Sequence, residues 1–338
     1  MTRRREFIKL VGAAAATWPL TALAQQTGAR DRVAWIHPSA PLSDLQENGA
    51  VRAYRAFLEE LRELGHVEGT NLIVERYSGG GRQDHYEELV RNVVLSRPGV
   101  IFTSGSEITR HLKAATTTIP VVAVLTDPVA DGLINNLAHP GGNITGASVD
   151  AGIEMWSKRL ALLKEAIPPM SRAGLLCSRA YWDDPGKAGE ALRAAASKLG
   201  ISLFGCLQEG QLQEAGYRRV FVTMQQDRLD GLVIHDQAEN FTNRKIIVEL
   251  AQKAGLPAIY PYREYVELGG LLAYAVDLTG AFRRAARQVD QILRGASPSE
   301  LPFDQQTNFE LLINLKTAKA LNVNVPATLL ASADVVIE

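Results

Sequence analysis

A chain of 338 residues with 46% hydrophobic and 22% charged residues has an ordinary globular composition, long enough for two domains of typical size. Its 36 Lys and Arg nearly balance 37 Asp and Glu, leaving a formal net charge of −1. That excludes an electrostatic case for nucleic acid or an acidic membrane surface, so the expected partner is a small molecule or a protein.

Residues Thr2 to Lys9 include Arg3, Arg4, Arg5 and Lys9, and precede a mildly apolar, alanine-rich run ending in Ala22-Leu23-Ala24. A basic region, a short apolar region and an A-x-A site make a secretory signal. Arg4-Arg5 before Glu6-Phe7-Ile8-Lys9 is similar to the twin-arginine type. Residues 1–24 are therefore expected to be a Tat-type signal peptide, the alternative being a frayed basic terminus. The run from Leu10 to Leu23 is interrupted by Trp18-Pro19 and falls short of the ~20 apolar residues that span a bilayer. No cysteine follows the cleavage site to take a lipid, so the expected mature chain starts near Gln25, has no membrane span and is free in the periplasm.

Arg32 to Ile36 reads as a first strand, running into a proline-rich loop from His37 to Pro41. A helix is expected over 44–64, because Val51, Tyr54, Leu58, Leu61 and Leu64 recur at three- and four-residue spacings and Gly65 follows as a cap. A second strand over 71–77, the turn Ser78-Gly79-Gly80-Gly81 and a helix striped by Tyr86, Leu89, Val90, Val93 and Val94 complete the unit. Val100-Ile101-Phe102 and Val121 to Leu125 are short, β-branched runs that read as buried parallel strands. The first breaks off into Ser104-Gly105-Ser106 and the second into Thr126-Asp127-Pro128. Right-handed crossovers turn such a βαβαβαβ succession into a parallel sheet covered on both faces. The turn cluster from Pro140 to Gly146 is the expected crossover to a second domain.

The pattern then begins again. A helix with Met155, Trp156, Leu160 and Leu163 on its inner face leads to a strand over 173–177 and a loop over 178–185. A helix over 185–199, a strand over 201–207, a helix near 211–224, a strand over 229–235, a helix over 240–254 and a strand over 257–260 follow. A strand over 269–277 and a helix striped by Phe282, Ala286, Val289, Ile292 and Leu293 precede a last segment with a strand near 309–313 and a helix over 315–321. Two similar domains with a chain that returns between them imply a hinge. Cys177 and Cys206 end predicted strands; they read as two buried thiols, with a disulfide as the alternative that export would permit.

Several chemistries lack their sequence signature. There is no G-x-G-x-x-G after a strand, no G-x-x-x-x-G-K-[ST] and no G-x-S-x-G elbow. The six histidines, at 37, 66, 85, 111, 139 and 235, fall into no zinc-binding spacing. In open α/β sheets, however, ligands collect beyond the carboxyl ends of the strands, which makes the polar residues there candidates. In the first domain these are Ser39, Ser104, Gly105, Ser106, Thr126 and Asp127; in the second, Ser178, Tyr181, Trp182, Asp236, Tyr260 and Tyr262; at the hinge, Tyr274 and Asp277. Backbone amides and hydroxyls suit a carboxylate, Asp suits an ammonium and aromatic rings suit a flat apolar body. The same residues have structural roles open to them: Asp127, Ser104, Ser106 and Asp277 are good helix caps, and Tyr260 and Tyr274 fit as core rings.

The phrases Ala115 to Val122, Thr126-Asp127-Pro128-Val129, His139 to Gly146, Tyr262 to Val266 and Ile313 to Leu321 are similar to those of the ABC-transporter substrate-binding protein family that includes the tryptophan-binding TrpX type. The similarity extends over nearly the whole mature chain. It implies the type I periplasmic-binding-protein fold: two doubly wound parallel-sheet α/β domains joined by a three-crossover hinge, closing on a ligand without catalysis. It also implies that Ser104-Gly105-Ser106 and Asp127 lie in the cleft. The sequence differs from the pattern at Ala273-Tyr274-Ala275, at Ser178-Arg179, and at Glu107 and Arg110 behind the binding loop.

The expected architecture is an N-terminal domain of residues 31–147 plus 277–297 and a C-terminal domain of 148–276 plus 298–338. The expected function is that of a monomeric periplasmic receptor that binds a small carboxylate, an amino acid or aromatic acid, and delivers it to an ABC permease in the inner membrane. No cofactor, metal or catalytic residue is expected. Two alternatives are a periplasmic two-domain hydrolase or lyase using Asp127, His235 and Asp236, and a periplasmic sensory domain.

Overall fold

Uninterrupted apolar runs flanked by turns build the strands. In a computed structural model, which describes residues 30–149, 153–183, 187–208 and 212–338, they assemble into two sheets. The expected signal peptide lies outside the described residues.

The first lobe contains β1 (Asp31–His37), α1 (Arg52–Glu63), β2 (Leu72–Ser78), α2 (Tyr86–Leu95), β3 (Val100–Ser104), α3 (Ser106–Ala115), β4 (Val121–Leu125) and β5 (Ile144–Ser148). All neighbouring pairs are parallel, in the order β2-β1-β3-β4-β5. The second lobe continues with α4 (Ile153–Ala166), β6 (Arg172–Ser178), α5 (Arg179–Asp183), α6 (Lys187–Lys198), β7 (Ser202–Gln208), α7 (Glu214–Gln226), β8 (Gly231–Ile234), α8 (Ala238–Thr242), α9 (Arg244–Lys253), β9 (Ala258–Tyr260), α10 (Arg263–Glu267) and β10 (Leu272–Val276). Its parallel strands run β7-β6-β8-β9-β10, the same order as in the first lobe. The chain then returns to the first lobe as α11 (Leu278–Leu293) and β11 (Asp304–Gln305), and crosses again to β12 (Phe309–Asn314), α12 (Leu315–Ala320), α13 (Ala327–Ala331) and β13 (Val335–Ile337). β12 joins β10 antiparallel, and β13 lies parallel beyond it.

Three expected boundaries move. The turn cluster 140–146 is not the first crossover, because β5 follows it in the first sheet and the chain leaves only after Ser148. Asn143 closes that turn by donating to the carbonyls of Thr116 and Ile119, and Gly146 passes so close to β4 that a Cβ would lie 1.8 Å from the Ala123 oxygen. The segment from 298, expected in the second domain, first adds β11 to the first sheet, pairing Asp304 with Ala147 and Gln305 with Ser148. It covers the open edge of β5, whose backbone groups would otherwise lack partners. The helix expected from residue 44 begins only at Arg52, since tight turns occupy 41–49 and a Cβ at Gly49 would meet the Asp44 carbonyl at 2.2 Å. Likewise the helix expected over 240–254 divides at Asn243 into α8 and α9, and the loop after β6 contains α5.

Each sheet is packed on both faces. Trp35, Phe57, Phe102 and Phe282 hold α1 and α11 against one face of the first sheet, with Phe57 stacked on Phe102 at 3.8 Å. Ile36, Tyr86, Ile101 and Ile108 fill the other. Small residues of α11, Ala281, Ala285 and Ala286, let that helix approach closely. Cys177 and Cys206 are both free and buried. They are on neighbouring strands, but Cys206 pairs in register with Leu176, so the two thiols face opposite sides of the sheet and cannot bridge. Burial pushes the Cys206 thiol up to about 12 and raises Cys177 as well, which makes both inert at neutral pH.

Candidate functional site

The carboxyl ends of both sheets face a single cavity of about 560 Å³ between the lobes, a size suited to one small molecule. The first lobe supplies Ser104-Gly105-Ser106 from the end of β3, Thr126 and Asp127 from the end of β4, and Glu107, Arg110 and Asp131 beside them. From the second lobe come Ser178, Tyr181 and the run His235-Asp236-Gln237-Ala238-Glu239 that follows β8. Tyr54, Phe241, Tyr262, Phe282 and Leu278 form an apolar wall. Phe241 touches Tyr54 of the other lobe edge-on at 6.3 Å and Tyr262 at 5.3 Å, so the hydrophobic core is continuous across the cleft.

The lobes are closed on each other. Thr126 donates its hydroxyl to Asp236 Oδ1 at 2.9 Å, Ser39 and Thr242 share a hydrogen bond of 2.8 Å, and the Leu212 amide donates to the Gly81 carbonyl at 2.9 Å. Gly105, with φ at 93°, lies in the region that favours glycine, and it faces Ala238 of the other lobe, where a Cβ would stand at an ordinary contact distance of 3.5 Å.

Charge on the cavity wall is mostly committed. Arg110 donates to Glu107 at 2.7 Å and to Asp131 at 2.9 Å. Asp127 Oδ1 accepts the amides of Val129 and Ala130 and so closes the turn after β4; no helix begins there for it to cap. Ser178 and Gln237 bond to each other twice. Asp236 is backed by Arg159 of α4, a fully buried guanidinium whose Nη1 lies 3.8 Å from Asp236 Oδ2 and whose Nε donates to the Tyr274 carbonyl. Arg159 also covers the Trp156 ring at 4.6 Å. His235 stacks on that same indole at 4.6 Å, with Tyr181 edge-on at 4.0 Å. Burial lowers the His235 imidazole to about 4, the nearby Asp236 charge opposing and Arg159 adding to the shift, so the ring is neutral.

Among the described residues that line the cavity, the Ser104 hydroxyl, Asp236 Oδ2 and both ring nitrogens of His235 are buried polar atoms with no hydrogen-bond partner, His235 Nδ1 lying 3.3 Å from Asp236 Oδ1. Such atoms are costly unless something binds them. A neutral imidazole both donates and accepts, and so fits either end of a zwitterion.

Of the residues singled out from sequence, Ser104, Gly105, Ser106, Thr126, Asp127, Ser178, Tyr181, Asp236 and Tyr262 line the cavity. Five others lie elsewhere. Ser39 is a cross-cleft contact beside the cavity, donating also toward the Ala238 carbonyl. Trp182 packs under the Arg193 guanidinium and against Gly205. Tyr260 is buried and stacked on Tyr265, Tyr274 is stacked on Phe309, and Asp277 caps α11 by accepting from the Gly280 amide at 2.9 Å. The sequence reading missed Tyr54, Phe241 and Phe282 as wall residues, because each sits on an apolar helix stripe like any core ring. It also missed Arg159, for which a lone arginine on the inner face of an otherwise apolar helix was the available signal. Among the described residues no helix is long and apolar enough to cross a membrane, and no group of three or more His, Cys, Asp or Glu is placed to hold a metal ion.

A family model described as ABC transporter substrate binding protein matches residues 43–337. A tyrosine-binding protein of Clostridioides difficile (strain R20291) is 22% identical over 286 residues, covering 83% of this chain and 80% of that protein. Among solved structures, a conserved domain protein from Vibrio cholerae superposes with a TM-score of 0.77 at 24% identity, covering 91% of this chain and all of that one. A Streptococcus pneumonia ABC domain in complex with L-Trp gives a TM-score of 0.76 at 20% identity, with the same coverage.

Proposed function

Since the chain belongs to the ABC transporter substrate binding protein family, we propose that it is an extracytoplasmic receptor that captures an amino acid with an aromatic side chain and hands it to a membrane permease. The family consists of binding proteins, not enzymes, so Asp127, His235 and Asp236 are assigned no catalytic role. Export by the twin-arginine route, suggested by Arg4-Arg5, places the mature receptor in the periplasm.

One observation carries the choice of ligand. The orphaned polar atoms of Ser104 and His235 lie in the same cavity as an aromatic wall built by Tyr54, Phe241, Tyr262 and Phe282. In the proposed complex the polar end of the ligand meets His235, Ser104, Ser106 and Thr126, and its ring lies against the wall. The Ser104-Gly105-Ser106 turn opens α3, whose first amides favour a carboxylate. The carboxylates of Glu107, Asp127, Asp131 and Asp236 line the cavity against the single, already paired Arg110, which favours a ligand bearing an ammonium over a simple aromatic acid. Proteins similar to this chain that are named for tyrosine or found with L-Trp support the same class.

The test is a thermal-shift comparison of L-tyrosine, L-tryptophan and L-phenylalanine with their des-amino acids. A ligand at 100 times its dissociation constant stabilises by ~2.7 kcal/mol, so an aromatic amino acid should raise the melting midpoint and be recovered unchanged. Equal shifts from the des-amino compounds would remove the ammonium from the reading. No shift from any amino acid would overturn the ligand class.

A further inference from the structure

Tyr86 of the first lobe and Glu239 of the second meet where the cleft closes. The Tyr86 hydroxyl lies 3.1 Å from the Pro38 carbonyl in its own lobe and 3.0 Å from Glu239 Oε1 across the cleft. Tyr86 is fully buried and Glu239 is 5% exposed. A carbonyl and an ionised carboxylate are both acceptors, whereas a phenol carries one proton. Both contacts become hydrogen bonds when Glu239 itself is protonated: the acid donates to the phenolic oxygen, and the phenol donates to Pro38.

The surroundings agree with a neutral acid. Among the described residues no Lys, Arg or His forms an ion pair with Glu239. The titratable groups around it are Tyr86, Tyr217 and the Glu107 carboxylate, with His111 edge-on to the Tyr86 ring at 6.2 Å. Burial foremost, and the Glu107 charge with it, push Glu239 above the usual carboxylate range, against the opposing pull of its own backbone amide and of Tyr86.

Resting on the ligand-site reading above, we infer that closure of the two lobes over a ligand takes up one proton at Glu239, and that Tyr86 and Glu239 are positioning residues that hold the closed state. When the lobes part, Glu239 loses the Tyr86 contact and meets water, where a carboxyl titrates near ~4.3 and is ionised at neutral pH. Affinity therefore strengthens as pH falls between the closed-state and open-state values, by up to about tenfold per pH unit.

The experiment is titration calorimetry with L-tyrosine and L-tryptophan in buffers of different ionisation enthalpy near neutral pH, on the parent and on Glu239→Gln. The glutamine amide can donate to Tyr86 without titrating. The parent should take up more protons than the variant, the difference approaching one, and its affinity should weaken with rising pH relative to the variant's. His235, in the same cavity, contributes equally to both proteins and cancels. Equal proton uptake overturns the inference. Should neither amino acid bind, the ligand reading fails, and the ligand-free protein then decides the proton: the radius of gyration of the parent minus that of Glu239→Gln, from small-angle scattering, should grow from pH 5 to 8, because only the parent must take up a proton to close. A difference constant with pH overturns it.

Discussion

His37 shows how much a single side chain determines at the end of β1. Its Nδ1 accepts the amides of Ser39 (3.1 Å) and Ala40 (2.8 Å), so the proton sits on Nε2, which faces the Tyr54 hydroxyl at 2.7 Å. A charged ring would lose both amide bonds, and burial holds its value down to about 3. A base with a lowered folded-state value stabilises fully above its ordinary value near ~6.5 and loses that contribution as pH falls through it toward the folded-state value. The melting midpoint of the parent should therefore drop more steeply below pH 6.5 than that of His37→Asn, which keeps an acceptor but cannot titrate there; parallel curves would show that the imidazole is not held neutral. Gly105 is a second such position. Gly105→Ala should cost about 1–2 kcal/mol from its left-handed backbone, measured by denaturant unfolding, whereas ligand affinity in titration should change little because the added Cβ meets Ala238 only at ordinary contact distance; an unchanged midpoint would contradict the backbone cost.

At the scale of elements, α4 places Trp156 and Arg159 one turn apart, so both reach beneath the end of β8. Removing the cation leaves Asp236 buried without compensation, a change that typically costs ~3–5 kcal/mol. Arg159→Met should thus be strongly destabilising, and much less so when Asp236→Asn is already present; full additivity in urea unfolding would separate the two residues. α5 carries the opposite lesson. Tyr181 turns into the cavity while its neighbour Trp182 packs outward on Gly205 and under Arg193. Trp182→Ala should lower the stability of the second lobe without a selective loss of aromatic ligands, and a selective loss in titrations would put the indole back in the site.

For the whole molecule, cross-cleft hydrogen bonds from Ser39, Thr126 and Leu212 hold one closed arrangement. Thr126→Val removes the donor to Asp236 and leaves a buried charge short of a partner, which at ~1–3 kcal/mol should weaken ligand binding about tenfold or more; titration at matched pH checks it, and parental affinity would remove that bond from the closed state. Strands, helix stripes and the two-lobe succession were legible in the sequence because hydrophobic period and turn chemistry are local. Strand ends likewise pointed to Ser104, Thr126, Ser178 and Asp236, since a parallel sheet sends all its carboxyl ends one way. The tertiary structure alone decided which neighbours face the cavity, because adjacent residues in α5 or after β9 point in different directions. It alone decided that Asp304-Gln305 closes the first sheet and that Arg159 backs Asp236. Each of those contacts joins residues far apart in the chain, and its energy exists only once the intervening segments have folded.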